Sequence, residues 1–344
     1  MAELRLCHYG EEKAWDEYVY HCLEASHCHL SGWRRVVERG YGHRSFYLWA
    51  RENGETKGVL PLISMGGLFF SRSLVSMPFL DDGGICTEDD HVRTALYQQA
   101  VQMCEEYKVD ILDLRHRQSN SLSLPPLGSK ATLTLQLDSN PDQMWKRFDA
   151  KLRNQVRKAQ KSGLTASWSG IDGLPDFYEV FAINMRDLGS PVHSLRFFTA
   201  IFEEFSHSVK LMLVHKNNTV IGGAVCFFFR ETMLVPWASS RREYFSLCPN
   251  NLLYWEMIRW GSENGYQRFD FGRSSPGSGT YNFKKQWGAK EEPLHWQVLN
   301  RKNGRSPLVH ANDSKYQWMI RTWRHLPIAM TKLIGPFVRG QVSS

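Results

Sequence analysis

The sequence lacks the patterns typical of disulfide-rich, zinc-binding or membrane-spanning proteins. Its seven cysteines are odd in number and scattered, and no two form a C-x-x-C pair, which favours reduced core residues over disulfides. His21, Cys22, His27, Cys28 and His29 crowd together, but no second ligand pair follows at a matching distance, so we expect no zinc site. No stretch approaches the roughly 18 uninterrupted apolar residues of a spanning helix.

The first residues also lack a signal-peptide pattern. Residues 1–10 contain both acid and base, and Glu11 and Glu12 follow where a signal peptide would carry an apolar run. We therefore expect a protein that is made and kept in the cytoplasm.

Charge is distributed unevenly along the chain. Residues 1–150 contain 16 basic and 21 acidic side chains, a net charge of −5, and residues 151–344 contain 26 and 14, a net charge of +12. This asymmetry predicts a polyanionic partner for the second half, such as nucleic acid, a phospholipid surface or a pyrophosphate-linked substrate.

The pattern of strands and helices predicts a mixed α/β sheet in each half of the chain. Residues 45–51 and 56–64 form a predicted hairpin around residues 52–55, which read Glu-Asn-Gly-Glu. Residues 74–85 are predicted to be a strand that enters an acidic glycine turn, where Asp81 and Asp82 either hold a substrate amine or bond to the backbone. The second half repeats this plan, which suggests a structural duplication. We predict domains at residues 1–145 and 146–305, followed by a tail at residues 306–344.

A basic segment at residues 141–162 is predicted to be helical and to end at Gly163. Arg153 and Arg157 share one face of that helix, and Asn154 lies on a second polar face. Five bases without an acid in residues 151–161 repel one another unless an anion lies nearby. The alternative is a merely solvated face.

Residues 268–288 are the segment with the clearest chemical potential. A short apolar run containing Asp270 precedes a Gly/Ser/Pro-rich loop at residues 272–279. Such a loop can wrap an anion or a carbonyl oxygen with its backbone N–H groups, and Arg273, Lys284 and Lys285 add positive charge beside it. The segment predicts a site that polarises and protonates a substrate. The alternative is a surface turn with solvated lysines.

The tail at residues 315–339 contains no acid. Its tryptophans and other apolar residues are interleaved with lysines and arginines, which suits the headgroup layer of an anionic membrane. We therefore predict peripheral contact of residues 315–339 with the inner membrane face. The alternative is a terminal helix that packs back on the domain.

Three stretches together resemble the FemAB family, whose members add amino acids to peptidoglycan precursors. They are residues 153–163 (R-N-Q-V-R-K-A-Q-K-S-G), residues 249–251 (P-N-N) and residues 270–288 (D-F-G-R-S-S-P-G-S-G-T-Y-N-F-K-K-Q-W-G). The match looks closest to members associated with exosortase (PEP-CTERM) and exopolysaccharide systems. The resemblance spans nearly the whole chain and implies two tandem domains of the Gcn5-related N-acetyltransferase (GNAT) fold.

The resemblance also implies roles for individual residues. Lys284 would stabilise the developing oxyanion, Asp270 or Arg273 would shape the site, and Arg153 and Arg157 would hold phosphate. The catalytic candidates are therefore Lys284, Asp270 and Arg273. The candidates for substrate binding are Arg153, Asn154, Arg157, Asp81, Asp82, Trp237, Asn250, Tyr281 and Lys285.

The function implied is an acyl- or aminoacyltransferase that forms an amide on an amine-bearing cell-envelope or exopolysaccharide precursor, with no metal or other cofactor required. Family members use aminoacyl-tRNA, but the long helical arm of the tRNA-using members has no counterpart here. Acyl-CoA and acyl carrier protein are the alternative donors, although residues 241–250 lack the glycines that grip a CoA pyrophosphate. A non-catalytic adaptor that docks an exopolysaccharide or exosortase system to the membrane is the alternative of another class.

Overall fold

The computed structural model of the chain describes residues 2–67, 70–128, 130–301 and 314–343. Contacts divide the chain into two compact units. Unit 1 comprises Met1–Lys130, Pro293–His310 and Phe337–Ser344, and unit 2 comprises Ala131–Glu292 and Ala311–Pro336. The domain boundaries after residues 145 and 305, which rest on sequence pattern, stay predictions.

Strands and helices alternate along most of the chain. The strands are β1 Glu3–Leu6, β2 Ser45–Glu52, β3 Glu55–Gly67, β4 Phe70–Val75, β5 Ile111–His116, β6 Lys130–Gln136, β7 Leu164–Ser169, β8 Val209–Lys216, β9 Thr219–Phe229, β10 Thr232–Ser240, β11 Arg268–Ser274 and β12 Lys290–Asn300. The α-helices are α1 Glu12–His21, α2 Gly32–Tyr41, α3 Asp90–Glu106, α4 Pro141–Arg147, α5 Ala150–Lys161, α6 Leu174–Leu188, α7 Leu195–Glu204, α8 Pro249–Glu263, α9 Gly279–Lys285, α10 Ser314–Arg324 and α11 Ile328–Gln341. Short 3-10 helices cover His27–His29, Ile171–Gly173 and Arg242–Leu247.

Unit 1 is built on a sheet with the strand order β1-β2-β3-β4-β5-β12. The predicted hairpin joins β2 and β3, and Asn53 and Gly54 at its turn both have positive φ, as a two-residue hairpin turn requires. Strands β4 and β5 run parallel. Helix α3, which the Asp89 side chain caps, covers an apolar core formed by β2, β3 and β5.

The strand predicted over residues 74–85 was wrong beyond its first residues. Strand β4 ends at Val75, and an irregular segment follows. Met77 and Phe79 adopt positive φ on either side of Pro78, which has no N–H group to donate to a sheet. These three residues end the strand before the acidic glycine turn is reached.

Unit 2 is built on a sheet with the strand order β6-β11-β10-β9-β8-β7. Strands β10 and β11 run parallel, whereas β7, β8, β9 and β10 form an antiparallel meander. Helix α8 is largely buried, and its apolar residues form the main core together with those of α5 and the sheet.

The basic segment over residues 141–162 is helical, as predicted, but it contains two helices. Helix α4 ends at Arg147, and Asp149 caps α5 by accepting a hydrogen bond from the backbone N–H of Leu152. Gly163 follows α5 with a φ of 73°. Leu152, Val156 and Ala159 are buried, so the inward face of α5 is the one that its apolar spacing predicts.

The basic C-terminal segment folds as α10 and α11. In unit 2, the Arg324 guanidinium donates to the carbonyl oxygen of Leu188 over 3.4 Å, and the Lys332 ammonium pairs with the carboxylate of Glu179. The alternative of a terminal segment packed on the domain is therefore present in the structure. Within the described ranges, no helix is both long and apolar enough to cross a membrane.

Candidate active site

The parallel strands β10 and β11 of unit 2 separate partway along their length. They pair through Thr232 with Arg268, Met233 with Phe269, and Leu234 with Asp270. Beyond Leu234, β10 continues to Ser240 and β11 to Ser274, and the described residues show no further pairing between the two strands. Parallel strands that diverge leave backbone groups and space between them, and a ligand can enter at that position.

Both strands are irregular at the same level as the divergence. The register of β10 against β9 shifts between Leu234 and Trp237. The register of β11 against β6 shifts between Asp270 and Arg273. Bulges of this kind redirect a strand and re-aim its side chains. Both β10 and β11 therefore contribute to the divergence.

Asp270 and Gly272 hold the bulge of β11. Asp270 is buried, and its Oδ1 atom accepts hydrogen bonds from the Thr132 hydroxyl at 2.6 Å and from the Gly272 backbone N–H at 2.8 Å. Gly272 has a φ of 73°, a conformation that a residue with a side chain adopts only at a cost. The Asp270 carboxylate therefore fixes the shape of the strand end.

Lys284 is buried and reaches the same strand end from α9. Its ammonium donates to the carbonyl oxygen of Gly272 at 2.8 Å and to that of Arg273 at 3.0 Å. The Ser278 side chain caps the short helix that carries it, by accepting from the backbone N–H of Tyr281. A fixed positive charge thus lies beside the diverging strands.

The loop predicted over residues 272–279 is shorter in the structure. Strand β11 extends to Ser274 and α9 begins at Gly279, so residues 275–278 remain as the connection. The aromatic and lysine segment that follows is helical. This helix turns Lys284 toward β11, whereas Lys285 is exposed.

Hydrogen bonds connect the far end of β10 to the start of α8 and to α5. The Ser240 hydroxyl donates to the Asn250 side-chain oxygen at 2.6 Å. The adjacent Asn251 is buried and donates to the Gln155 side chain on α5 at 3.2 Å. Asn250 and the basic helix α5 are therefore brought to the end of β10.

Helix α5 presents positive charge on its exposed side. Arg153 is half-buried, and its Nε atom has no hydrogen-bond partner among the described residues. Arg157 is exposed, lies 5.4 Å from the centre of the Trp145 ring and donates to the Asn154 side chain at 3.3 Å. This arrangement supplies guanidinium groups for an anionic ligand.

The remaining predicted residues of unit 2 have defined surroundings. Trp237 is largely buried, and its ring lies 5.4 Å from that of Phe198 in an aromatic cluster. The Tyr281 hydroxyl donates to the carboxylate of Glu291. The structure therefore places Trp237 in an aromatic cluster beside β10, and it places the half-buried Tyr281 on the helix that carries Lys284.

Asp81 and Asp82 belong to unit 1. The backbone oxygen of Asp81 accepts from the indole N–H of Trp296 at 2.8 Å. The buried Asp82 carboxylate accepts from the Ser26 hydroxyl and lies 3.7 Å from the Arg117 guanidinium. Burial alone would raise the pKa of Asp82, but the positive charge of Arg117 and neighbouring histidines lower it overall.

A small polar cavity of about 20 Å³ adjoins Asp82 in unit 1, enough for about one water molecule. His116 lines this cavity, and its Nε2 atom accepts from the Ile85 backbone N–H at 3.1 Å, so Nδ1 carries the proton of the neutral ring. Nδ1 is buried and lacks a hydrogen-bond partner in the part of the chain that the structure describes. Burial, together with Arg93, lowers the pKa of His116 to about 3.

The histidines and cysteines near residue 28 have defined surroundings, and the expected absence of zinc stays a prediction. No group of three or more potential ligands is close enough to hold a metal ion among the residues that are described. His29 is fixed by two backbone contacts, because Nδ1 accepts from the Ser26 N–H and Nε2 faces the Gly84 carbonyl oxygen at 3.0 Å.

Known proteins resemble this chain over different parts of its length. A family model for the acetyltransferase (GNAT) domain matches residues 146–285. A lipid II:glycine glycyltransferase of Staphylococcus haemolyticus (strain JCSC1435) is 20% identical over 330 residues, which covers 69% of this chain and 79% of that protein. The crystal structure of FemX matches with a TM-score of 0.65 and 17% identity, over 87% of this chain and 98% of that chain. These likenesses support a FemAB-like protein of the GNAT fold.

The GNAT domain model, the structural neighbours and the two sheets confirm the predicted fold, a mixed α/β sheet with tandem GNAT-like domains. A tandem GNAT protein from the clavulanic acid biosynthesis pathway has a TM-score of 0.52 at 8% identity, over 88% of this chain and 99% of that chain. The chain is thus an enzyme, an acyl- or aminoacyltransferase. The family range at residues 146–285 contains every predicted site residue except Asp81 and Asp82. The narrower resemblance to exosortase- and exopolysaccharide-associated members stays a prediction.

Proposed function

We propose that this FemAB-like enzyme transfers an aminoacyl group to an amine of a cell-envelope precursor, and that the reaction takes place where β10 and β11 diverge. The observation that carries the proposal is the strand divergence, which lies beside the buried Lys284 ammonium. The lipid II:glycine glycyltransferase relative supports the substrate class.

The reaction forms one amide bond. The amine nitrogen attacks the activated carbonyl carbon, the carbonyl oxygen becomes an oxyanion, and the bond to the leaving oxygen or sulfur then breaks. The leaving group keeps the electron pair, and the amine loses a proton. Positive charge held at the oxyanion lowers the barrier of such a step.

We assign Lys284 two tasks at this site. It holds the carbonyl oxygens of Gly272 and Arg273 in place, and its charge stabilises the developing oxyanion. Asp270 is a positioning residue in this proposal, because its Oδ1 atom already accepts from Thr132 and Gly272. The amine proton then leaves through the substrate or water.

We propose that the donor is a polyanion held by α5. Arg153 and Arg157 lie on this helix, which is tied to the first turn of α8 through Gln155 and Asn251. Aminoacyl-tRNA fits this charge. The segment between β10 and α8 is the 3-10 helix Arg242–Leu247 and contains no glycine, which argues against a glycine-rich CoA pyrophosphate loop.

A CoA- or carrier-protein-dependent N-acyltransferase is the second candidate. The observation that favours it is the match of the acetyltransferase (GNAT) domain model to residues 146–285. Saturable binding of acetyl-CoA or of acyl carrier protein, measured by calorimetry, would favour this candidate over the aminoacyl reaction.

The acceptor is proposed to be reached at the cytoplasmic face of the membrane, where lipid-linked precursors present their headgroups. The acceptor could be an exopolysaccharide precursor instead of a peptidoglycan precursor. The two differ in the amine that they offer, so each acceptor is to be supplied separately.

The test is a transfer assay with the purified full chain. Radiolabelled glycyl-tRNA, acetyl-CoA and acyl carrier protein are each supplied with an amine-bearing lipid-linked precursor, and the Lys284→Met variant is the inactive control. We expect label in a product that resists alkaline hydroxylamine, as an amide does and an ester or thioester does not. Absence of amide product with every donor and acceptor would refute the proposed function.

A further inference from the structure

Helix α11 exposes its large apolar side chains. Met330, Leu333 and Ile334 are exposed, with Leu333 80% exposed, and they recur at the spacing of one helical face. Phe337, one turn further along the same helix, is 66% exposed. A helix that belongs only to a soluble domain would turn this face toward the core.

The opposite side of α11 carries small residues and packs against the rest of unit 2. Thr331 and Gly335 are buried. A Cβ atom added to Gly335 would lie 3.0 Å from atoms of Val192, so the helix approaches unit 2 as closely as a glycine permits. The small face of α11 therefore fixes the helix, and its large apolar face is left outside.

Helix α10 has the same division. Trp318 is 67% exposed and Met319 is also exposed, whereas Ile320 lies against Gly189 at the end of α6. Exposed apolar residues are ordinary when scattered, but those of α11 recur on one helical face, and a contiguous group of this kind marks an interaction surface. We call Trp318, Met319, Met330, Leu333 and Ile334 the apolar face.

The two helices that carry the apolar face have basic side chains and no acidic ones. Residues 314–343 contain no aspartate or glutamate. Arg321 and Arg324 are exposed on α10, whereas Lys332 is paired with Glu179. Large apolar side chains flanked by arginines match a surface with an apolar interior and a negative outer layer.

We propose that the apolar face docks on an anionic phospholipid bilayer, with α10 and α11 lying in the plane of the headgroups. The apolar side chains enter the boundary of the acyl chains, and Arg321 and Arg324 contact lipid phosphates. This docking goes beyond the proposed transferase function and does not depend on it, because it concerns other residues and needs no substrate.

The experiment is co-sedimentation of the full chain with vesicles of phosphatidylcholine alone and of phosphatidylcholine with phosphatidylglycerol. The test variant is Leu333→Ser and the matched control is Leu23→Ser, since Leu23 is 82% exposed in unit 1 and equally tolerant of a polar replacement. A buried leucine side chain contributes enough to change partitioning by about tenfold or more. We expect that loss for Leu333→Ser, none for Leu23→Ser, and a further weakening for Arg321→Gln that depends on phosphatidylglycerol.

Several results would overturn the inference. Equal binding of Leu333→Ser and the unmodified chain would show that the apolar face does not touch the membrane. Equal binding to both vesicle types would remove the anionic requirement. A concentration-dependent dimer that Leu333→Ser abolishes, without vesicle binding, would assign the face to a second copy of the chain. The unmodified chain is also assayed for transfer to a water-soluble acceptor. Absence of transfer there would count against the proposed function and not against docking.

Discussion

Replacement of Lys284 by methionine separates the two tasks that we assign to this residue. Methionine keeps most of the side-chain volume but removes the charge and both donated hydrogen bonds, at 2.8 Å to Gly272 and 3.0 Å to Arg273. A hydrogen bond to a charged group contributes about 1.5–3 kcal/mol, and partial relaxation of the strand end reduces the sum. We therefore expect the free energy of unfolding to fall by about 2–4 kcal/mol.

This decrease converts into a measurable change in thermal stability. For a domain of about 150–250 residues each kcal/mol corresponds to about 2–4 °C, so the Tm should fall by about 4–16 °C. The protein should still be folded at 25 °C, because native domains have about 5–15 kcal/mol to lose. Circular dichroism would verify this before any rate is compared.

The second half of the prediction concerns kcat. Removal of a charge that acts on the oxyanion should lower kcat by about a hundredfold or more, with KM little changed. Lys290→Met is the matched control, since Lys290 is an exposed lysine of unit 2 and is not among the predicted site residues. It should change neither the Tm nor kcat. A folded Lys284→Met variant with more than half of the original kcat would refute the catalytic assignment, and an unchanged Tm would refute the positioning one.

Three further predictions concern Asp270, the arginines of α5 and His116. Asp270→Asn should retain activity within about tenfold, because an amide oxygen can still accept from Thr132 and Gly272, whereas replacement of a general base would lower the rate by about a hundredfold or more. Exchange of Arg153 and Arg157 for glutamine should weaken binding of charged tRNA, and the slope of log K against log salt should fall by about 0.7–0.9 for each phosphate that the variant no longer neutralises. Because the pKa of His116 is about 3 in the folded chain and 6.5 in the reference state, the unfolded chain takes up the proton first as the pH falls below 6.5. The free energy of unfolding should then decrease by about 2 kcal/mol between pH 7 and pH 5, and urea titrations of the His116→Gln variant should lack that part of the decrease.

Local patterns predicted the elements whose causes are local. The turn at Asn53 and Gly54, the inward face of α5 and its end at Gly163 all depend on neighbouring residues, and each was confirmed. The strand predicted to run from residue 74 into the acidic glycine turn ends at Val75, because Pro78 cannot donate to a sheet and Met77 and Phe79 adopt positive φ, which the apolar pattern of the segment does not reveal. The division into two helices before Gly163 depends on the Asp149 cap, a signal that apolar spacing alone does not reveal.

The contacts of the site could not be read from the sequence. Thr132 bonds to Asp270 across 138 residues, and neither residue carries a local sign of the other. The partners of Lys284 are backbone carbonyl oxygens, which any residue type could supply. Asn251 belongs to the pattern that suggests the family, yet only its bond to Gln155 shows that it ties α8 to the basic helix. The types of residue are therefore visible in the sequence, whereas their tasks depend on the fold.

Unit 2 places positive charge in two environments, one exposed to solvent and one buried. Arg157 and the lysines of α5 are exposed and Arg153 is half-buried, so salt screens most of this charge and the attraction of a polyanion weakens as ionic strength rises. Lys284 is buried against β11, where screening by mobile ions is small and its charge acts at close range. An increase in salt should therefore raise KM for a polyanionic donor and leave kcat nearly constant. A kcat that fell in step with binding would mean that the charge at the reacting carbonyl is exposed, which the burial of Lys284 contradicts.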